Sequence, residues 1–149
     1  MPVPRWWVYL FVVISILGFL DATFLAVKHI SGGVIPCTIT AGCEKVTTSS
    51  YAAVAGIPVA LLGALYYFSI FFLSLVYLSS GKPILFKLFT RSSIIGVVAS
   101  FWFVYVQLFI LHALCIYCLF SAATSTALFI LALLMVRVSR ANQRSMDMS

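Results

Sequence analysis

Between Arg91 and Arg137 the chain carries no Asp, Glu, Lys or Arg. Residues 93–136 of this run, built as one straight helix, would reach about 66 Å at about 1.5 Å per residue, which is twice the thickness of a bilayer's hydrocarbon core. The run must therefore turn back on itself, and His112, near its middle, is the expected turn. Two consecutive membrane-spanning helices are predicted, over 93–113 and 114–136.

The rest of the chain is similarly apolar. Its composition is 64% hydrophobic and 8% charged, whereas soluble domains carry roughly 25% charged residues. Two further runs, 7–27 and 57–78, reach the roughly 20 residues that a spanning helix needs, and neither alternates as strands of an outer-membrane barrel do. The predicted fold is therefore a single all-α membrane domain: a four-helix bundle whose 28–56 loop has room for a short amphipathic helix.

The basic residues predict an orientation, since Lys and Arg accumulate on the cytoplasmic side of short loops. Most lie before the first helix, in the 79–92 loop and in the 137–149 tail: Arg5, Lys82, Lys87, Arg91, Arg137, Arg140 and Arg144. Only Lys28 and Lys45 lie on the other side. Both termini are therefore predicted to be cytoplasmic, in a cell's inner or plasma membrane. The net charge of +6 fits contact with anionic lipid, so no nucleic-acid partner is expected.

All four cysteines then lie at one membrane face. Cys37 and Cys43 fall in the external loop, and Cys115 and Cys118 at the outer start of the last helix, on the side where disulfides persist. The CxxC spacing puts two sulfurs one turn apart, and a helix N-terminus favours the reactive thiolate. These features predict a thiol-disulfide relay.

Two other classes of protein would also use paired cysteines. Two structural disulfides would serve a non-catalytic scaffold, although so short a loop gains little from closure. Paired thiolates could instead carry soft heavy-metal ions. The relay itself requires no metal.

A wider set of residues resembles the vitamin K epoxide reductase family, especially its prokaryotic members. The resemblance covers roughly residues 10–135 and rests on the order Cys37, Cys43, Val46, Ser49, Tyr51, Gly56-Ile57-Pro58 and Cys115-Ile-Tyr-Cys118. The metal carrier would explain the cysteine pairs but not Ser49 with Tyr51 and Gly56-Ile57-Pro58.

The resemblance implies a bundle around a quinone, either ubiquinone or menaquinone, with the loop as its cap. Cys37 would exchange with the thiols of a thioredoxin-fold, DsbA-like partner, Cys43 would exchange with Cys115, and Cys118 would lie nearest the quinone. Ser49 would position the loop. The protein would re-oxidise its partner and so promote disulfide formation.

Two departures from relatives matter. Vertebrate members carry a tyrosine where this chain has Ala122, so a quinone hydrogen bond from that position is not expected, and quinone-epoxide reduction in a vitamin K-type cycle is an alternative only. Many bacterial members carry a fused thioredoxin-like domain, which is not expected here. The redox partner is then a separate protein.

Three residues are possible accessories to the redox site. Asp21 lies in the outer third of the first helix, where an acidic side chain either anchors the loop by an ion pair or serves the site. His112 precedes Cys115 by three residues and would stabilise a thiolate, help protonate a quinone, or simply mark the membrane interface. Tyr51 belongs to the family-like set.

Overall fold

The computed structural model describes residues 3–37 and 42–149. Four of its helices are long and apolar enough to cross a membrane: α1 (Arg5–Ser31), α3 (Val59–Ser80), α4 (Pro83–Tyr105, continued by a π-helix over Val106–Ile110) and α5 (Ile116–Asp147). The prediction of an all-α, four-helix membrane bundle is confirmed. The chain is a multi-pass membrane protein.

The helices extend further than the apolar runs indicate. α4 begins at Pro83 rather than at 93, because proline at the first helical position is already set to a helical φ. α5 continues to Asp147, well beyond 136, since polar residues remain helical once the chain has left the hydrocarbon. The connection between α3 and α4 is therefore short, and Gly81, with φ 64°, ends α3 in the left-handed conformation that glycine accepts at no steric cost.

The segment between α1 and α3 folds into three small elements. They are α2 (Cys43–Thr47), a 3₁₀ turn (Ser50–Ala52), and an antiparallel hairpin of β1 (Ala53–Val54) with β2 (Ile57–Pro58). The hairpin turns through Ala55 and Gly56, both with positive φ, as a two-residue turn of this handedness requires. The hairpin is followed directly by the first turn of α3.

A tyrosine ties three of the long helices together in mid-bundle. The buried ring of Tyr67 on α3 packs on Gly18 of α1, where any side chain would overlap it. Its hydroxyl donates to the carbonyl of Ser121 at 2.8 Å and lies 2.8 Å from the hydroxyl of Thr124 on α5. Small residues and shared hydrogen bonds are the usual means by which helices associate in lipid.

An aromatic cluster closes the end of the bundle where α3 meets α4. The ring of Tyr77 lies 5.7 Å from that of Phe86 and 5.6 Å from that of Phe89, and Phe11 of α1 packs against Phe89 at 5.1 Å. The outward side chains are large and apolar, as with Leu20, Phe72 and Phe101, which suits a surface covered by lipid. The bundle is thus closely packed at this end. It is open at the other end, where the cysteines lie.

Candidate active site

The loop pair of cysteines is joined by a disulfide. Cys37 and Cys43 have their Cα atoms 6.2 Å apart, within the range of ordinary bridges. Cys43 begins α2 and is 1% exposed, whereas Cys37 is half-buried. Cys37 is therefore the more accessible cysteine of the pair.

The CxxC pair lies at the start of α5 as two free thiols. Cys115 is the residue just before the helix and is 0% exposed, and Cys118 lies half-buried in the first turn. In the described conformation, the loop pair is oxidised and the helix pair is reduced.

The two pairs adjoin within one apolar cluster. Cys43 and Cys115 are both buried in it, together with Leu25, Ile35 and Val46. Cys37 and Cys118 pack against its edge. The sulfurs predicted to exchange with each other are therefore the two that the fold buries together.

Gly42 allows the loop to lie this close. A Cβ at this position would come within 2.7 Å of both the backbone nitrogen and the carbonyl oxygen of Leu114. Backbone atoms cannot move aside as a flexible side chain can. Only glycine therefore permits the residue before Cys43 to rest on the residue before Cys115.

Gln107 holds the turn on which Cys115 lies. Its side-chain carbonyl accepts a hydrogen bond from the backbone N–H of Cys115 at 3.0 Å, and its backbone carbonyl accepts one from Ala113 at 3.1 Å. Gln107 is 2% exposed and belongs to the π-helix, a form that recurs at functional sites. His112, at the tip of the turn, has φ 49°, a strained conformation that such sites commonly retain.

The neighbourhood of Cys115 favours its thiolate. A hydrogen bond from the Cys118 side chain, helped by backbone N–H groups of Cys118 and Tyr117, lowers the pKa of Cys115 to about 7, although burial and the negative charge of Asp21 oppose this. The thiolate is the form that attacks a disulfide and the form that leaves when a disulfide is broken. Cys115 is thus the thiol of this pair suited to exchange with the loop.

Two hydrogen bonds fasten the loop above the cysteines. The hydroxyl of Tyr117, between the CxxC cysteines, donates to the carbonyl of Pro36 at 3.2 Å. Nδ1–H of His29, near the end of α1, donates to the carbonyl of Thr47 at 3.0 Å. The loop is therefore anchored on both sides of the Cys37–Cys43 disulfide.

A cavity of about 330 Å³ lies between the helices beneath the loop. All four long helices and the loop line it, mostly with apolar side chains, and among them are Leu25, Tyr66, Phe103, Cys118 and Ala122. Its size falls within the usual range of small-molecule sites. Of the four cysteines, Cys118 is the one that lines it.

The cavity also fits a quinone chemically. A quinone presents a flat apolar ring with two carbonyl oxygens, so it needs apolar walls and a hydrogen-bond donor. The hydroxyl of Tyr66, in the cavity wall, is buried without a hydrogen-bond partner among the described residues. The thiol of Cys118 lies in the same wall.

The other predicted residues lie at varied distances from the cysteines. Ser49 lines the cavity, and its hydroxyl donates to the carbonyl of Val46 at 2.7 Å. Tyr51 lies at the exposed rim. Asp21 has one buried oxygen with no partner in the described part of the chain and acts electrostatically on both Cys115 and Cys118. The side chain of His112 is exposed.

Three residues that sequence reasoning missed belong to this site: Tyr66, Gly96 and Gln107. Gln107 is the one side-chain amide in the uncharged run between Arg91 and Arg137. A polar side chain within the membrane needs a hydrogen-bond partner, so this residue could have been recognised from the sequence. Tyr66 and Gly96 carry no such signal. Their role depends on which faces of α3 and α4 pack together.

Across residues 3–37 and 42–149, no three His, Cys, Asp or Glu side chains form a group that could hold a metal ion. The paired sulfurs adjoin each other and a cavity whose walls are mainly apolar.

The comparison with protein families agrees with this geometry. The model of the Vitamin K epoxide reductase family matches residues 9–133, nearly the whole chain. No curated protein matches the chain.

Proposed function

Because the chain belongs to the vitamin K epoxide reductase family, whose members are membrane oxidoreductases of thiols, disulfides and quinones, we propose that it oxidises a thioredoxin-fold partner and passes the electrons to a quinone. The net result is a disulfide made in the partner. The partner is proposed to be a separate, DsbA-like protein, and the acceptor ubiquinone or menaquinone.

One observation carries this proposal: the four sulfurs lie in an order that leads from the outside to the cavity. Cys37 is at the edge, Cys43 and Cys115 are buried in the same cluster, and Cys118 lines the cavity. Two structural disulfides would not need a ligand-sized cavity beside the inner pair.

The outer exchange starts with the partner's thiolate. It attacks the Cys37 sulfur, and the Cys43 thiolate leaves. The partner's second thiolate then attacks the resulting mixed disulfide, releasing the oxidised partner and the Cys37 thiolate. Two electrons now reside on Cys37 and Cys43.

The inner exchange moves those electrons to the CxxC pair. The Cys43 thiolate attacks the Cys115 sulfur of a Cys115–Cys118 disulfide, and Cys118 leaves as a thiolate. Cys37 then attacks Cys43, which restores the outer disulfide and frees Cys115. The described conformation, oxidised outside and reduced inside, corresponds to this stage.

The cycle closes when Cys115 and Cys118 form their disulfide again. This step releases two electrons and two protons. A quinone held in the cavity beside Cys118 would supply the two-electron, two-proton acceptor for this step and would be released as the quinol. The role of this chain is to hold Cys118 in the cavity wall, to keep bulk water away with apolar side chains, and to offer Cys115 as the partner sulfur.

Accessory roles are proposed for the remaining residues. Ser49 fixes the turn after α2 through its bond to Val46, and so positions the loop. Asp21, whose charge opposes the thiolate of Cys115, is proposed to accept a proton that the thiols release. Tyr51 and His112 lie at the rim and at the outer turn, and neither is needed for the sulfur chemistry described here.

The proposed orientation puts the cysteines on the periplasmic or extracellular face of the inner or plasma membrane. The ends of the bundle away from the cysteines carry most Lys and Arg residues, as cytoplasmic ends do. Both termini are then cytoplasmic, and the loop meets its partner in an oxidising compartment.

Trapping the partner tests this function. Cys43→Ala leaves Cys37 without its neighbouring thiol, so a mixed disulfide between Cys37 and a thioredoxin-fold partner should accumulate and disappear on reduction. The matched control, Cys37→Ala with Cys43 intact, should trap far less, because Cys43 is buried. Equal trapping by both variants, or trapping by neither, would contradict the proposed order of sulfurs.

A further inference from the structure

The hydroxyl of Tyr66 forms no hydrogen bond with any described residue. Tyr66 is on α3 and lines the cavity, and its oxygen is buried with no hydrogen bond to any described residue. A buried hydroxyl without a partner is destabilising. Such a group in the wall of a ligand-sized cavity indicates that the ligand completes its bonding.

Gly96 on α4 makes room for this phenol. A Cβ at Gly96 would overlap the hydroxyl oxygen and the ring of Tyr66. Gly96 is buried in the interior of α4, where glycine is less favourable than alanine. Its presence there is explained by the close approach of Tyr66.

The other buried hydroxyls around the cavity are already bonded within the protein. Their partners are a backbone carbonyl or a neighbouring hydroxyl, and the residues are Thr47, Ser49, Tyr67, Ser100, Ser121 and Ser125. Tyr51 is exposed at the rim. Ala122, in the same wall, has no donor at all.

We propose that Tyr66 binds the quinone, donating its O–H to one carbonyl oxygen of the ring. The inference deepens the proposed function and rests on it. Tyr66 on α3 and Cys118 on α5 both line the cavity, so the hydrogen bond fixes the ring in reach of the reducing sulfur. The same O–H stabilises negative charge that grows on that oxygen during reduction, since hydrogen bonds to charged acceptors are the stronger ones.

Tyr77 provides a matched control within the same helix. Its hydroxyl is likewise buried without a partner among the described residues. It lies in the aromatic cluster with Phe86 and Phe89 and does not line the cavity. Removing either hydroxyl therefore removes the same kind of group, at the cavity in one case and away from it in the other.

The test uses the full chain in lipid nanodiscs and a short-chain ubiquinone or menaquinone analogue labelled with ¹³C at its carbonyls. Equilibrium binding and the infrared C=O stretching frequency are measured for wild type, Tyr66→Phe and Tyr77→Phe. Loss of one hydrogen bond should weaken binding about fivefold in Tyr66→Phe. It should also shift one carbonyl band to higher frequency, whereas Tyr77→Phe should match wild type in both readouts.

Gly96→Ala is a second variant that leaves Tyr66 in place but displaces its hydroxyl, and it should also weaken binding and shift the band. Thermal unfolding without quinone checks that each variant is folded. Wild-type binding together with unchanged affinity and band in Tyr66→Phe would overturn the role of Tyr66 and leave the proposed function standing. Absence of quinone binding by the wild type would overturn both.

Discussion

The side-chain carbonyl of Gln107 accepts a hydrogen bond from the backbone N–H of Cys115 at 3.0 Å. Both residues are buried, so this bond stands in for water that the N–H would otherwise bind. It joins the π-helix at the end of α4 to the cysteine at the start of α5. The position of Cys115 therefore depends on a residue outside the CxxC motif.

Gln107→Met is expected to loosen this turn. Methionine has a similar length but no carbonyl acceptor, and a buried N–H without a partner costs about 1–3 kcal/mol. The melting temperature should fall, and exchange between Cys43 and Cys115 should slow. Gln107→Glu, which keeps an acceptor oxygen of the same reach, is the control, and equal loss in both variants would mean that the hydrogen bond is not the cause.

Gly42→Ala is expected to separate the two cysteine pairs. Its Cβ would press on the backbone of Leu114, which cannot yield as a side chain would. In a Cys37→Ala, Cys118→Ala background, oxidation should link Cys43 to Cys115, and adding Gly42→Ala should greatly reduce the linked fraction on a non-reducing gel. Gly33→Ala is the control, because its Cβ would meet the flexible side chain of Lys28 at 3.2 Å. Undiminished linkage with Gly42→Ala would show that the contact with Leu114 does not govern docking.

The reactivity of Cys115 should change near neutral pH. Since the hydrogen bond from Cys118 lowers the pKa of Cys115 to about 7, the thiolate should predominate above that pH and protonation should slow exchange below it. The alkylation rate of Cys115, followed by mass spectrometry, should have its midpoint near pH 7 in wild type. Cys118→Ala should move the midpoint upward, and Cys118→Ser, which keeps a donor, should move it less. A wild-type midpoint near pH 9 would contradict the lowered pKa of Cys115.

Tyr67→Phe should destabilise the bundle more than Tyr66→Phe. The Tyr67 hydroxyl donates to the carbonyl of Ser121 and contacts Thr124, so its loss should cost about 1 kcal/mol. Tyr66 has no such partner in the described protein, and its replacement should leave the quinone-free melting temperature unchanged or slightly raised. The opposite ranking in thermal unfolding would mean that Tyr66 has a bond within the protein.

The general architecture could be predicted because lipid imposes it. Continuous apolar runs of sufficient length become spanning helices, and the uncharged run of residues 93–136 had to fold back. The cysteine spacing, with Ser49 and Gly56-Ile57-Pro58 between the pairs, indicated the family. These signals depend on local sequence alone.

Other features depend on tertiary packing and were not foreseen. The start of α4 at Pro83 was missed because apolarity marks the membrane rather than the helix. The pairing of Gln107 with Cys115, and the approach of Tyr66 to Gly96, depend on which faces of α3, α4 and α5 meet. Residues that contact across helices show no spacing pattern in a single sequence.

The most direct test of the relay is quinone reduction by the lipid-embedded protein with a reduced DsbA-like partner and a ubiquinone or menaquinone analogue. Wild type should reduce the quinone only when the partner is present. Cys118→Ala and Cys37→Ala should each abolish the reaction, because one removes the sulfur at the cavity and the other removes the sulfur that is proposed to meet the partner. Failure of the wild type with either quinone, or full activity in either variant, would contradict transfer of electrons through the two cysteine pairs.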